Sequence, residues 1–350
     1  MSFTSAAAPS LTSAQTALDP NLRNPYTERW SFGFERQLPQ RLLLDVSYVG
    51  SESHRLYTKA DRNPLSLTGM HLYPNYGQVL VFDSEGNSSY HALQARVDRR
   101  FSHGFQLAAS YTWSKDIDSA SDFVATDPQA PGNDNIASVP ISQGGLKLDR
   151  GLSDYDRTRR LTLAYLWAIP GPRSGWERYA FGGWSIGGIT TFQSGTPFTV
   201  GNGSDRNGDS FFQDRPDIGN PSAPLNTRAM LSSKCSTGYQ NADASSCVGR
   251  SDVHWVEGVG FPNAATVGRN TLHTGGTNNF DLNLTKSIPV GEKRRLELRW
   301  EAFNAFNHPQ FIQVPPMSIL NTITPAGRFL NRDFTNSGIR TMWVQAKVVF

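Results

Sequence analysis

Nine segments of this chain alternate apolar and polar side chains, and the connections between them alternate as well: short, long, short, long, from one end to the other. The segments span 27–37, 41–50, 91–101, 105–115, 157–169, 181–194, 279–288, 294–306 and 338–350. A period of two is the pattern of a strand with one apolar face. Inside the pairs the linkers are "LPQ", "SHG", "PGPRSGWERYA" and "PVGEK". Between pairs they run through 51–89, 116–156, 195–278 and 307–339, and are rich in Gly, Pro, Asn, Asp and Ser. Compact water-soluble domains rarely carry several structureless loops longer than about 15 residues. Strand walls that cross a membrane do carry them, with tight turns on the periplasmic side and long loops outside.

The last segment, "GIRTMWVQAKVVF", puts Met342, Val344, Ala346, Val348 and Phe350 on one face, with Thr341, Gln345 and Lys347 between them. Chain ends of soluble domains usually fray, so an apolar strand running to the last residue is either the edge of a soluble sandwich or the closing strand of a membrane barrel. The rhythm of the loops favours the barrel. Only 38% of residues are hydrophobic, mean hydropathy is −0.43, and no apolar run approaches the roughly 18 residues of a membrane helix. Any membrane crossing is therefore made by strands, which hide from hydropathy because half their residues face a wet lumen.

The aromatics agree. Candidate membrane-girdle residues are Trp30, Tyr48, Tyr111, Trp113, Tyr165, Trp167, Trp184 and Trp300, because an apolar ring with one polar atom suits the boundary between lipid and water. Trp343 falls out of phase with the apolar side chains of its segment and is expected to face the lumen. The fold expected is all-β: an antiparallel transmembrane β-barrel segment of nine to ten strands with long extracellular loops.

Charge and motifs exclude several functions. A net charge of +3 from 33 basic and 30 acidic residues gives no nucleic-acid footprint. The seven histidines form no short metal spacing, no G-x-S-x-G elbow surrounds a serine, and the chain is not expected to be an enzyme. One loop, "GSDRNGDSFFQDRPD", sets Asp205, Asn207 and Asp209 at alternate positions with Asp214 close behind, a candidate Ca²⁺ site of hard oxygen ligands. Its twelfth position is Pro216 rather than a bidentate Glu, so a solvated Asx-rich loop is the competing reading. No other cofactor is implied. Cys235 and Cys247 lie in a polar, Ser-rich stretch and read as a disulfide closing a surface loop in an oxidising compartment, or else as two free thiols. The basic runs "RRL" at 159–161 and "EKRRLELR" at 292–299 fall near expected periplasmic strand ends and read as a solvated rim.

With the short turns placed inside, the first and last segments both run toward the periplasm. The first twenty residues lack the basic and apolar regions of an export signal. Both features lead to the expectation that the chain is the C-terminal part of a longer one. Residues 1–26 are then a partial extracellular loop or disordered start, and 27–350 the barrel part.

Six stretches together resemble a known family: "NPYTERWSFGFERQLPQRLLLDVSYVGS", "YHALQARVDRRFSHGFQLAASYTWSKDIDSAS", "DYDRTRRLTLAYLWAIPG", "GWSIGGITTFQSGTPFTV", "GRNTLHTGGTNNFDLNLTKSIPV" and "LELRWEAFNAFNHPQF". They resemble the C-terminal barrel region of TonB-dependent receptors of the Oar-like type, abundant in acidobacteria. The resemblance implies a Gram-negative outer-membrane transporter with a barrel of about 22 strands around a plug. The implied cargo is a large or scarce solute such as a siderophore, cobalamin or a glycan. A TonB complex would be gripped through an N-terminal region that this sequence does not contain. It also implies that Met342, Val344, Ala346, Val348 and Phe350 are the signal read by the outer-membrane assembly machinery. The expected partners are outer-membrane lipid, that machinery and an extracellular ligand. The rival expectation is a small autonomous outer-membrane barrel or adhesin.

Overall fold

The structure, a computed structural model, describes residues 15–63, 73–77, 79–121, 146–204, 214–258, 266–291, 294–311, 322–324, 329–330, 335–336 and 338–350. Nine long strands form one sheet: β1 (Tyr26–Leu38), β2 (Leu42–Asp61), β3 (Val79–Ser102), β4 (Phe105–Asp118), β5 (Arg159–Ala168), β6 (Trp184–Gln193), β7 (Thr277–Val290), β8 (Arg294–Phe303) and β9 (Thr341–Val349). They lie side by side in chain order, each antiparallel to the next. Among the described residues β1 and β9 are not paired with each other, so the wall is open. Gln15–Leu18 adds a short strand that pairs in parallel with the start of β3.

Local chemistry sets the turns. Between β3 and β4, Ser102 pairs with Phe105, and the two residues between them, His103 and Gly104, have φ of 51° and 79°. Two consecutive positive φ values make the tight turn whose twist matches paired strands. Histidine is among the residues that tolerate that region, and glycine does so without steric cost. A longer turn joins β5 to β6 and contains one short helical stretch, Glu177–Phe181.

The pairing register carries the sequence alternation across all nine strands. Residues that face each other directly share a face. One row reads Phe32, Tyr48, Leu93 and Trp113; another reads Phe105, Trp167, Ile186, Leu284, Trp300 and Val344. Between such rows lie polar ones, such as Ser110, Thr162, Thr191 and Asn279. One face of the wall is thus apolar and the other polar. The apolar face is open to its surroundings: Phe32 is 78% and Val344 81% exposed. Trp30 lies flat on that face over Gly50, where a Cβ would come within 2.4 Å of its ring.

One of the long connections is shorter than the sequence pattern implies. Residues 51–61 and 79–90 belong to β2 and β3, which continue past a bulge at Arg55, a residue with φ of 57°. Beyond the bulge the hairpin buries a polar group, the Asp83 carboxylate, which is held by the Thr58 hydroxyl and by Arg62 at 2.7 Å. The "RRL" run is also placed differently: Arg159 and Arg160 open β5 at the loop end of the wall, opposite Trp113 and Thr112, not at the turn end. The long 119–158 connection precedes it, so β5 starts where that loop finishes.

The 194–276 connection is folded. Five short strands lie in the order Asp217–Ile218, Trp255–Val256, Arg228–Leu231, Tyr239–Asn241 and Cys247–Val248. Two small apolar cores hold them, Val200–Trp255–Val267–Ile323–Phe329 and Ala229–Tyr239–Val253–Val256. Ile323 and Phe329 come from the β8–β9 connection, so two loops build one cap. The buried Trp255 donates its indole N–H to the Leu225 carbonyl at 2.7 Å, leaving no polar atom stranded.

Candidate functional site

Two surfaces can meet a solute: the polar face of the wall and the cap above it. The polar face is the concave one and encloses a cavity of about 380 Å³ between β4, β5, β6, β7 and β8. Asp281, Asn283, Arg299 and Glu301 line it, with Gln106 and Phe303. Arg299 pairs with Glu301 at 2.6 Å, as do Arg96 with Asp98 and Arg295 with Glu297, each two residues along one strand and on this same face. A wall of self-paired charges holds a hydrated interior without a strong field of either sign.

The cap is fixed to the wall by a buried ionic cluster. Arg269 pairs with Asp118, the last residue of β4, and donates from Nε to the Asp149 carbonyl at 2.8 Å and from Nη1 to Ser121 Oγ at 3.0 Å. Arg215 meets Asp149 at 3.0 Å, both side chains 3% exposed. Beside them Asn270 donates to the Leu152 carbonyl at 2.7 Å and to Asp154 at 2.6 Å. Burial pushes the Arg269 guanidinium down to about 10, partly opposed by the Asp116 carboxylate, so it keeps its charge at neutral pH. A third buried cation, Arg228, meets Asp243 at 2.7 Å and donates to the Ile323 carbonyl, tying the two loops of the cap together.

Cys235 and Cys247 are bonded, with Cα atoms 5.4 Å apart, at the outer corner of the cap. The bond closes a sequence separation of 12, for which loop entropy gives about 3 kcal/mol. Replacing both by serine should speed proteolysis between residues 232 and 250 and leave the wall's thermal unfolding unchanged. A fall in wall stability of equal size would contradict this local role.

The remaining residues singled out in the sequence fall as follows. Trp30, Tyr48, Tyr111, Trp113, Tyr165, Trp167, Trp184 and Trp300 all lie on the apolar face by register. Trp30, Tyr48, Tyr111 and Trp113 sit toward the loop end, and Trp167 and Trp184 next to the turn. Met342, Val344, Ala346 and Val348 share that face, while Trp343 lies opposite Glu301 on the polar one. Of the calcium candidates, Asp205, Asn207 and Asp209 are outside the described residues; Asp214 accepts from the Asn202 amide through its carbonyl. Sequence reasoning did not find the Arg269–Asp118 and Arg215–Asp149 pairs. No local pattern marks partners that lie 151 and 66 residues apart.

No curated protein matches the sequence. Among solved structures, the outer membrane transporter YddB from Escherichia coli is similar at 10% identity with a TM-score of 0.41, over 97% of this chain and 33% of that one. The ferric-catecholate import receptor Fiu from Escherichia coli K12 is similar at 11% identity and a TM-score of 0.42, over 94% of this chain and 28% of that one. The siderophore receptor PiuA from Acinetobacter baumannii gives 8% identity and a TM-score of 0.43, over 92% and 28%. This chain thus spans a third or less of the length of these structures. Residues 1–340 match the family described as "Outer membrane beta barrel domain", and with its two-faced antiparallel wall the chain belongs to that family, in the outer membrane of a Gram-negative bacterium.

Proposed function

We propose that the chain forms part of the wall and the external cap of a TonB-dependent outer-membrane transporter of the Oar-like type. The observation that supports this most is the combination of a polar concave wall with a folded cap locked over its loop end. A polar interior is common to outer-membrane barrels; a folded cap fixed over the loop end is what a barrel that only anchors a protein has no need of. The turns face the periplasm and the cap faces outward. The eight aromatics of the apolar face form the interfacial girdle, and the alternation ending at Phe350 is read by the assembly machinery. In lipid every backbone polar group needs a partner, so in the working barrel further strands cover the open edges of β1 and β9. The solute is large or scarce: a siderophore, cobalamin or a glycan. A Ca²⁺ ion held by Asp205, Asn207, Asp209 and Asp214 orders one cap loop.

Deleting the gene and following uptake of labelled ferric siderophore, cobalamin and oligosaccharide tests the proposal. Loss of one uptake, reproduced in the parent strain by a protonophore, is expected. Unchanged uptake of all three would overturn it in favour of a small barrel or adhesin. That rival also predicts a product near 38.6 kDa in outer-membrane fractions, where the transporter predicts a larger one.

A further inference from the structure

The apolar face is bordered differently at its two ends. At the turn end the register sets Arg36, Arg99, Lys286 and Arg294 on it, with no carboxylate among the described strand residues there. At the loop end the same face carries both signs, Glu28 and Glu52 with Lys115 and Arg159. Three of the turn-end cations lie over aromatic rings: Arg99 over Phe105 at 5.2 Å, Lys286 over Trp184 at 5.0 Å and Arg294 over Phe350 at 5.3 Å. Arg294 is thereby separated from Arg295 and Arg299, whose side chains are paired on the polar face.

The β5–β6 turn folds back against this border. Lys286 Nζ and Trp184 Nε1 both donate to the Ala180 carbonyl at 3.0 Å, which closes over Lys286 and holds the Glu177–Phe181 stretch outside the wall. That stretch then presents Trp176 (73% exposed), Tyr179 and Phe181 outward, with Arg178 4.7 Å above the Tyr179 ring. Rings of this kind beside cations are placed for the zone where acyl chains meet headgroups. Arg99 adds a second observation: its Nε is buried and has no hydrogen-bond partner among the described residues.

We propose that this border is a binding surface for anionic phospholipid headgroups of the inner leaflet. Arg99, Arg178 and Arg294, at three successive turns, each meet the phosphate of a separate headgroup, and Trp176, Tyr179 and Phe181 seat beside the glycerol. The surface is continuous with the face that lipid covers, and its positive charge complements a headgroup with net negative charge better than a zwitterionic one. The proposal rests on the turns facing the periplasm, where the phospholipid leaflet lies.

Native mass spectrometry of the full-length protein, extracted in mild detergent, tests it. Phosphatidylglycerol should bind about tenfold more tightly than phosphatidylcholine, and inorganic phosphate should not displace it. The Arg99→Gln/Arg178→Gln/Arg294→Gln variant should lose that preference, and Arg96→Gln/Arg299→Gln, altered on the polar face, should keep it. Equal retention of both lipids by the unaltered protein, a preference surviving in the triple variant, or displacement by phosphate would overturn the proposal. Heat-modifiable migration on gels reports the barrel separately; its absence in the unaltered protein would remove the barrel reading and the site with it.

Discussion

Leu163→Arg should lower the stability of the membrane-inserted wall by about 2–4 kcal/mol, the cost of a guanidinium facing lipid near the bilayer midplane. Leu163 lies in the middle of β5 on the apolar face, between Ala109 and Thr190. Thr162→Arg, one residue earlier, enters the polar face between Ser110 and Thr191 and should stay within about 0.5 kcal/mol of the unaltered protein. The comparison uses adjacent positions in one strand, so propensity and strand pairing cancel to first order. Urea titration of protein folded into vesicles gives both values. Equal losses for the two substitutions would mean that the apolar face does not meet lipid.

Asp118→Asn should release the cap. Removing one charge of a buried pair costs about 3–5 kcal/mol, because the other is left uncompensated in a poor solvent. Here that other charge is Arg269, 7% exposed, which keeps three further acceptors, Ser121 and the Asp149 and Asp118 carbonyls, and the nearby Asp116 carboxylate, so the lower end of that range is expected. Arg269→Met paired with Asp118→Leu removes both charges and should recover most of the loss, since contacting residues do not add independently. Hydrogen exchange would show faster opening of residues 214–258 in the single variant, with β4 to β8 unchanged. If the single and double variants open at the same rate, the pair is not what holds the cap.

The wall was legible in the sequence because lipid on one side and water on the other write a period of two into each strand. Phe105, Leu107, Ala109, Tyr111 and Trp113 show it most cleanly, and β4 and its register follow from them. Where that two-solvent constraint ends, so does the signal. The upper halves of β2 and β3, "SESHRLYTKAD" and "VLVFDSEGNSSY", bury polar residues such as Thr58, Lys59 and Asp83 and read as loop although they are paired strands. The cap was opaque for a different reason. Its strands are two to four residues long, too short for any periodicity, and its cores draw Ile323 and Phe329 from a separate connection. Its disulfide could be read from composition and spacing alone, with the alternative of free thiols left open.

The order of pairing in the wall has a kinetic consequence. Every long strand pairs with its neighbour in the sequence, so the wall can zip hairpin by hairpin, each step closing only the loop it contains. The Arg269–Asp118 contact spans 151 residues and can form only after β5, β6 and the intervening strands of the cap have found their places. Contacts of such long range are the slowest to be reached from the unfolded chain. Docking of the cap is therefore the closing event of assembly, and its reversal is a local opening that leaves every wall pairing intact.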